Sequence, residues 1–187
     1  MSYFNRFPTT VFLGEEVTDI TRKAQLSKIS KDSALSYMSY TVKEGERPED
    51  IAYYYYDSVN YAWLVLASND IVDPYTQWPK GLNAFERYIM TEYEKASGTT
   101  GQGVIEWSQN ATLGANIVHY ESISNPNIKL NRASYLASDE NEKAEYAPVR
   151  VYDYEFQLNE SRREIVLVNK SYLEDIDSQL KEELNAK

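Results

Sequence analysis

The run YTVKEGERPEDIAYYYYDSVNYAWLVLASNDIVDPYTQWP, residues 40 to 79, decides the fold. Tyr40 and Val42 alternate with Thr41 and Lys43, the period of a half-buried strand over 38 to 44 that Gly45 ends. Pro48 then suits the first position of a helix, where a missing N–H costs nothing. Glu49 and Asp50 sit at the positive end of that helix, so they read as helix starters rather than as an acid/base pair. Four consecutive tyrosines follow. Ile51 and Tyr55 lie one turn apart, as do Ala52 and Tyr56, so this stripe faces a core. Tyr53 and Tyr54 fall off the stripe and have no local reason to be aromatic.

Outward from the tyrosines, Asp57 or Ser58 can cap a second helix that ends at Asn69, with Trp63, Leu64 and Ala67 as its inner face. Residues 69 to 81 are rich in turn formers, and a third helix runs from about Leu82 to Lys95. Leu82, Phe85, Ile89 and Tyr93 are its stripe, with Gly98 just past its end. SGTTGQG, 97 to 103, reads as a flexible linker; no Lys-Ser/Thr follows its last glycine, as a phosphate loop requires. Beyond it, short strands are expected at Val104–Trp107, Ile117–Glu121 and Asn127–Leu130, then a polar connection over 138 to 148. VRVYDYEFQL alternates, NESRR turns and EIVLV returns, which predicts a β-hairpin over 149 to 168. Ser171 and Glu174 are spaced as a capping box for a final helix carrying Leu173, Ile176, Leu180 and Leu184. So narrow a stripe calls for a partner helix or a groove. On the N-terminal side, Tyr3, Phe4, Phe7 and Phe12 are scattered without a sustained period, with a short helix possible over 26 to 35. That segment reads either as a frayed terminus or as an arm that anchors aromatic residues on a partner.

The resulting expectation is an α+β chain in five parts. These are an arm (1–36), a core with an extra helix (37–96), a linker (97–103), a β-rich region ending in a hairpin (104–168) and an amphipathic helix (169–187).

Composition narrows the function. Among 187 residues, 29 acidic and 19 basic side chains leave a formal charge of −10, with no basic cluster beyond Arg162-Arg163. That argues against nucleic acid or an anionic membrane as partner. No cysteine offers a disulfide or a thiolate metal site, and neither a signal-peptide core nor a membrane-length apolar run is present. The 17 tyrosines, against 5 Phe and 3 Trp, suit contact surface, because a phenol packs like an aromatic yet tolerates a wet edge. No catalytic constellation emerges. His119 is the sole histidine and sits in an alternating strand pattern, and SDENEKAE lacks the glycine turn and spacing of a calcium loop. No cofactor or small-molecule substrate is expected.

Strand, Gly45-Glu46, Ile51-Ala52 on a helix, Trp63-Leu64 on a second helix and a terminal Asn69 together resemble a LysM module, a βααβ unit known for binding peptidoglycan and chitin. Here the first helix is bulkier than usual, and DPYTQWPKG displaces the closing strand. Those departures resemble the small baseplate wedge subunit of T4-like contractile-tailed bacteriophages. The family motifs match at Arg47-Pro48-Glu49, Tyr61 to Leu66, Asn69-Asp70, Asp73-Pro74-Tyr75 and Trp78. The resemblance implies a non-enzymatic structural subunit, assembled in the host cytoplasm and carried in the virion tail. It would join neighbouring wedges into the six-fold baseplate, in six or a multiple of six copies. The alternative is a glycan-binding LysM protein, and a cell-wall hydrolase with a LysM targeting unit stands third. On the structural reading, Tyr53, Tyr54, Tyr75, Trp78, Leu173, Ile176, Leu180 and Leu184 are the candidates for partner contact.

Overall fold

A computed structural model describes residues 7–20 and 36–185; its elements are numbered in chain order. Near the N-terminus, β1 (Thr9–Phe12) and β2 (Glu15–Thr18) pair antiparallel around the two-residue turn Leu13-Gly14. Both turn residues have positive φ, 52° and 88°, as a tight hairpin turn requires. The sequence reading found no order here, although apolar-polar alternation around Leu-Gly is a hairpin signal. The short helix expected over 26 to 35 lies outside the described residues.

The chain divides into two compact units. One runs to Trp78 and resumes at Arg162; the other is Pro79–Ser161. In the first, β3 (Tyr37–Thr41) leads through the Gly45 turn into α1 (Pro48–Tyr56). Pro48 occupies the first turn of α1, and the Asp50 carboxylate accepts the Arg47 N–H at 3.0 Å, so Asp50 closes the helix start, with Glu49 beside it in the first turn. Ser58 caps a 3-10 turn (Val59–Tyr61) that runs into α2 (Ala62–Ser68), and α3 (Pro74–Gln77) follows with Asp73 as its cap. The strand that completes this unit arrives much later. β7 (Glu164–Val168) pairs antiparallel with β3, from Tyr37 opposite Val168 to Thr41 opposite Glu164. Val42, Ile51, Ala52, Tyr56, Leu64, Val65, Ile165 and Leu167 form its buried core. The inner face of α2 is therefore Leu64, Val65 and Ser68; Ala67, expected inside, is exposed.

The last helix, α10 (Leu173–Asn185), also belongs to the first unit. Its entry is capped by Asn169, whose side chain accepts from the Ser171 N–H at 3.1 Å, rather than by the Ser171/Glu174 box. Tyr61 ties it down by donating its phenol to Asp177 Oδ2 at 3.0 Å.

The second unit comprises α4 (Leu82–Glu92), α5 (Glu94–Ser97), α6 (Gln102–Gln109), β4 (Ile117–Ser122), β5 (Lys129–Leu130), α7 (Arg132–Ala137), α8 (Glu140–Lys143), β6 (Tyr146–Arg150) and α9 (Val151–Ser161). Its antiparallel sheet has the order β5-β4-β6, and Phe85, Ile89, Val104 and Ile105 make its helical core. Three sequence expectations are corrected here. Val104–Trp107 is helical, with Val104, Ile105 and Ser108 buried along one face of α6. The stretch 97 to 103 is the turn between α5 and α6, inside the second unit, with Gly98 and Gly101 at positive φ.

The third correction concerns 149 to 168, which is not a hairpin. Residues 151 to 161 are helix α9, and EIVLV pairs with β3 instead. The buried face of α9 is Val151, Glu155 and Asn159, spaced by four. Glu155 accepts the Tyr93 phenol at 2.6 Å, while Asn159 exchanges bonds of 2.7 and 2.9 Å with the backbone of Lys80. Tyr152 and Phe156, one turn apart, set their rings against Phe85 at 5.4 and 5.8 Å. Helical period is thus carried by polar residues, which a search for apolar alternation passes over.

Candidate partner-binding surface

Helix α1 has four tyrosines in its last turn, and the structure gives them three environments. Tyr56 is buried and donates its phenol to the Val168 carbonyl at 3.0 Å, joining α1 to β7. Tyr55 is half-buried, edge-on to Tyr56 at 4.8 Å, with the Lys170 ammonium 5.7 Å from its ring centre. Tyr53 and Tyr54 stand in solvent, 58% and 76% exposed, and touch each other edge-to-face at 5.7 Å. No described part of the chain covers this pair.

Beside Tyr54, the β3–α1 turn encloses an open cavity of about 790 Å³ lined by Tyr40, Lys43, Glu44, Gly45, Glu46, Asp50, Ile51, Tyr54 and Tyr55. Gly45 takes φ 69°, which reverses the chain and aims Glu46 back at the strand. Glu46 accepts the Tyr40 phenol at 2.8 and 3.0 Å and the Lys43 N–H at 2.9 Å. Burial, then the bond and charge of Glu46, push the Tyr40 phenol from 10.0 up to about 12. Neutral Tyr40 therefore contributes stability that is fully present below pH 10 and is lost as the pH rises through about 12. In an ultraviolet phenolate titration, Tyr40→Phe is expected to remove one late-ionising tyrosine and leave the early ones unchanged.

Trp78 does not belong to the contact surface. It is 8% exposed and donates its indole N–H to the Glu46 carbonyl at 2.9 Å, so it supports the cavity wall from behind. Tyr75 is the opposite case, 91% exposed on α3 next to an equally exposed Val72. Its loop is held firmly. Asp73 accepts from the Tyr75 N–H at 3.0 Å, and Gln77 Oε1 accepts from Val72 and Asp73 at 2.8 Å each. A fixed loop that presents a bare tyrosine suits partner contact.

The four residues of the C-terminal stripe are corrected as well. Ile176 is buried in the core of the first unit and Leu173 packs against it half-buried. Leu180 and Leu184 are buried with Phe7, and Trp63 lies against them. The groove that this stripe requires is supplied by its own chain, and Phe7 is an arm residue that anchors there. Apolar side chains that sequence reading left out of the surface are Val11, Leu13 and Ile20, all exposed around the β1–β2 hairpin along with Phe12.

His119 is engaged within its own sheet. Its Nε2 lies 2.8 Å from Glu121, which also pairs with Lys129 at 2.9 Å, and bonding to both holds the Glu121 carboxyl below its usual value. Among the described residues, no three His, Cys, Asp or Glu side chains gather as a metal site. No helix among them is long and apolar enough to cross a membrane.

A family model described as base plate wedge protein 53 matches residues 12–184, which takes in both units and nearly all of α10. The chain belongs to that family. Among curated proteins it is similar to the baseplate wedge protein gp53 of Enterobacteria phage T4, 26% identical over 140 residues, covering 75% of this chain and 68% of the relative. The family model spans the whole excursion from α2 through the second unit to β7, so the late return of the closing strand lies within the matched region. As a wedge protein 53 family member, the chain is an α+β structural subunit of a phage tail baseplate.

Proposed function

We propose that this subunit works in the virion by joining neighbouring wedges into a closed baseplate, without catalysing a reaction. The family match over 12–184 carries the reading. Membership favours a structural role over glycan binding, and the βααβ order of β3, α1, α2 and β7 supports reading this part as LysM-like. Six copies, or a multiple of six, follow from the six-fold ring that such a subunit would close. Tyr53, Tyr54 and Tyr75 are the contact residues in this reading, supported by their exposure on fixed backbone. Tyrosine at such positions contributes large area with little rotamer entropy to lose.

Replacing Tyr53 and Tyr54 together with Ser tests it. The isolated double variant is expected to keep its circular dichroism and its melt, because neither ring packs in the core. Conversion of wedges into complete baseplates, read by sedimentation, should fall at least about tenfold, the equivalent of ~1.4 kcal/mol of lost contact. Assembly at wild-type yield would rule out these tyrosines as the joining surface.

A further inference from the structure

We propose that the cavity at the β3–α1 turn receives an arginine side chain from a partner wedge protein. This inference rests on the reading of Tyr53 and Tyr54 as a contact surface and specifies its chemistry. The cavity combines two kinds of wall. Tyr40, Tyr54 and Tyr55 supply ring faces and edges, while Glu44, Glu46 and Asp50 supply carboxylates against the single ammonium of Lys43. A guanidinium suits that combination, because it is planar, stacks on aromatic faces and forks its donors between carboxylate oxygens.

The carboxylates already have work within the chain. Glu44 holds Arg163 at 2.8 Å, Glu46 holds Tyr40 and Asp50 caps α1. These bonds fix the acceptors in place, and a carboxylate has about four lone-pair sites, so each can accept again. The same helix already displays the interaction: the Lys170 ammonium sits over Tyr55, 5.7 Å from its centre, and bonds Asp57 at 2.8 Å. A cation between a tyrosine face and a carboxylate is thus a stable arrangement at the C-terminal end of the same helix. The chain's net charge of −10 would draw a basic partner loop towards it over a distance. An acidic or neutral glycan would gain the rings but not the charges, which is why a cationic protein segment fits better.

The test uses the full chain with two synthetic probes, the peptide Gly-Arg-Gly-Arg-Gly and its glutamine counterpart, and with chitotetraose as a third. Amide chemical shifts should move over 43 to 55 with the arginine peptide alone, and the effect should weaken as salt is raised. The double variant Glu44→Gln/Asp50→Asn keeps hydrogen-bond acceptors, including the helix cap, but removes two charges. Its peptide affinity should fall on the order of fivefold or more with an unchanged fold. Equal shifts from the glutamine peptide, or shifts from chitotetraose without any from arginine, overturn the proposal, the latter in favour of a glycan site. The baseplate assay separates the two readings. Normal joining by the Glu44/Asp50 variant, with failure by the Tyr53/Tyr54 variant, retains the interface and rejects the arginine. Normal joining by both rejects the interface itself.

Discussion

Leu180→Ala is expected to lower the unfolding free energy of the isolated chain by about 2–5 kcal/mol, the range for truncating a fully buried leucine. Leu180 and Leu184 are buried with Phe7 from the far end of the sequence, and Trp63 leans on the same cluster. Removing three carbons there leaves a cavity that Phe7 and Leu184 cannot both close. Chemical denaturation of purified protein measures the loss directly. The exposed Glu174 on the same helix is the control, and its replacement by Ala should shift stability by no more than about 0.5 kcal/mol. A helix held only by another subunit would give the reverse pattern, with a wild-type melt for Leu180→Ala and a defect seen only in assembly.

That contrast marks where sequence reading reaches its limit in this chain. The stripe Leu173, Ile176, Leu180 and Leu184 is plain in the sequence, which assigns it to a partner, whereas the structure buries it within its own chain. Which groove it fills depends on contacts with Phe7 and Trp63, more than a hundred residues away, and no local pattern encodes them. The stretch from β3 to α2 is legible for the opposite reason. Gly45, Pro48 and Ser58 act on their immediate neighbours, so cap and turn chemistry places β3, α1 and α2 directly, whereas the short α3, capped by Asp73, lies in a stretch that reads only as turn. The failure at 149 to 158 has its own cause. Tyr152, Tyr154, Phe156 and Leu158 alternate as a strand would, yet helix α9 buries Val151, Glu155 and Asn159. Glu155 and Asn159 are buried because Tyr93 and the Lys80 backbone satisfy them. Hydropathy has no means of scoring a polar residue as an inward-facing one.

The proposed contact surface is half legible in the sequence. Tyr53 and Tyr54 could be separated from Tyr56 by helical spacing alone, and the structure leaves those two bare. The sequence places Trp78 with the contact candidates, yet the residue is buried, because an indole serves equally well as an interface anchor or as a core residue with one hydrogen bond. The acidic lining of the cavity is present in the sequence as the polar run KEGERPED around Gly45, but its carboxylates converge only once Gly45 reverses the chain.

Asn69→Ala should cost about 2–4 kcal/mol, through three hydrogen bonds that no other side chain can replace. Its Nδ2 donates to the carbonyls of Val65 at 2.8 Å and Val166 at 2.9 Å, while its Oδ1 accepts the Val166 N–H at 2.8 Å. One amide therefore satisfies both backbone groups of a strand residue, as a residue of a neighbouring strand would. It also fastens that strand to the end of α2. The partners lie 97 residues apart in sequence, with the second unit inserted between them. Closing so long a loop is not prohibitive, because its entropy grows only with the logarithm of length. The closing strand still needs a specific lock, since among the described residues β7 has only β3 as a sheet partner and its other edge would stand open. Asn69→Asp separates this account from simple packing. It keeps the shape and the acceptor but turns a carboxylate oxygen on two carbonyls, so it should destabilise at least as much as Ala. Hydrogen exchange locates the effect: the Val166 amide should lose protection in both variants more than the amides of α4 and α6. If Asn69→Asp were as stable as the parent chain, the amide would not be the lock, and β3 pairing alone would hold the βααβ unit closed.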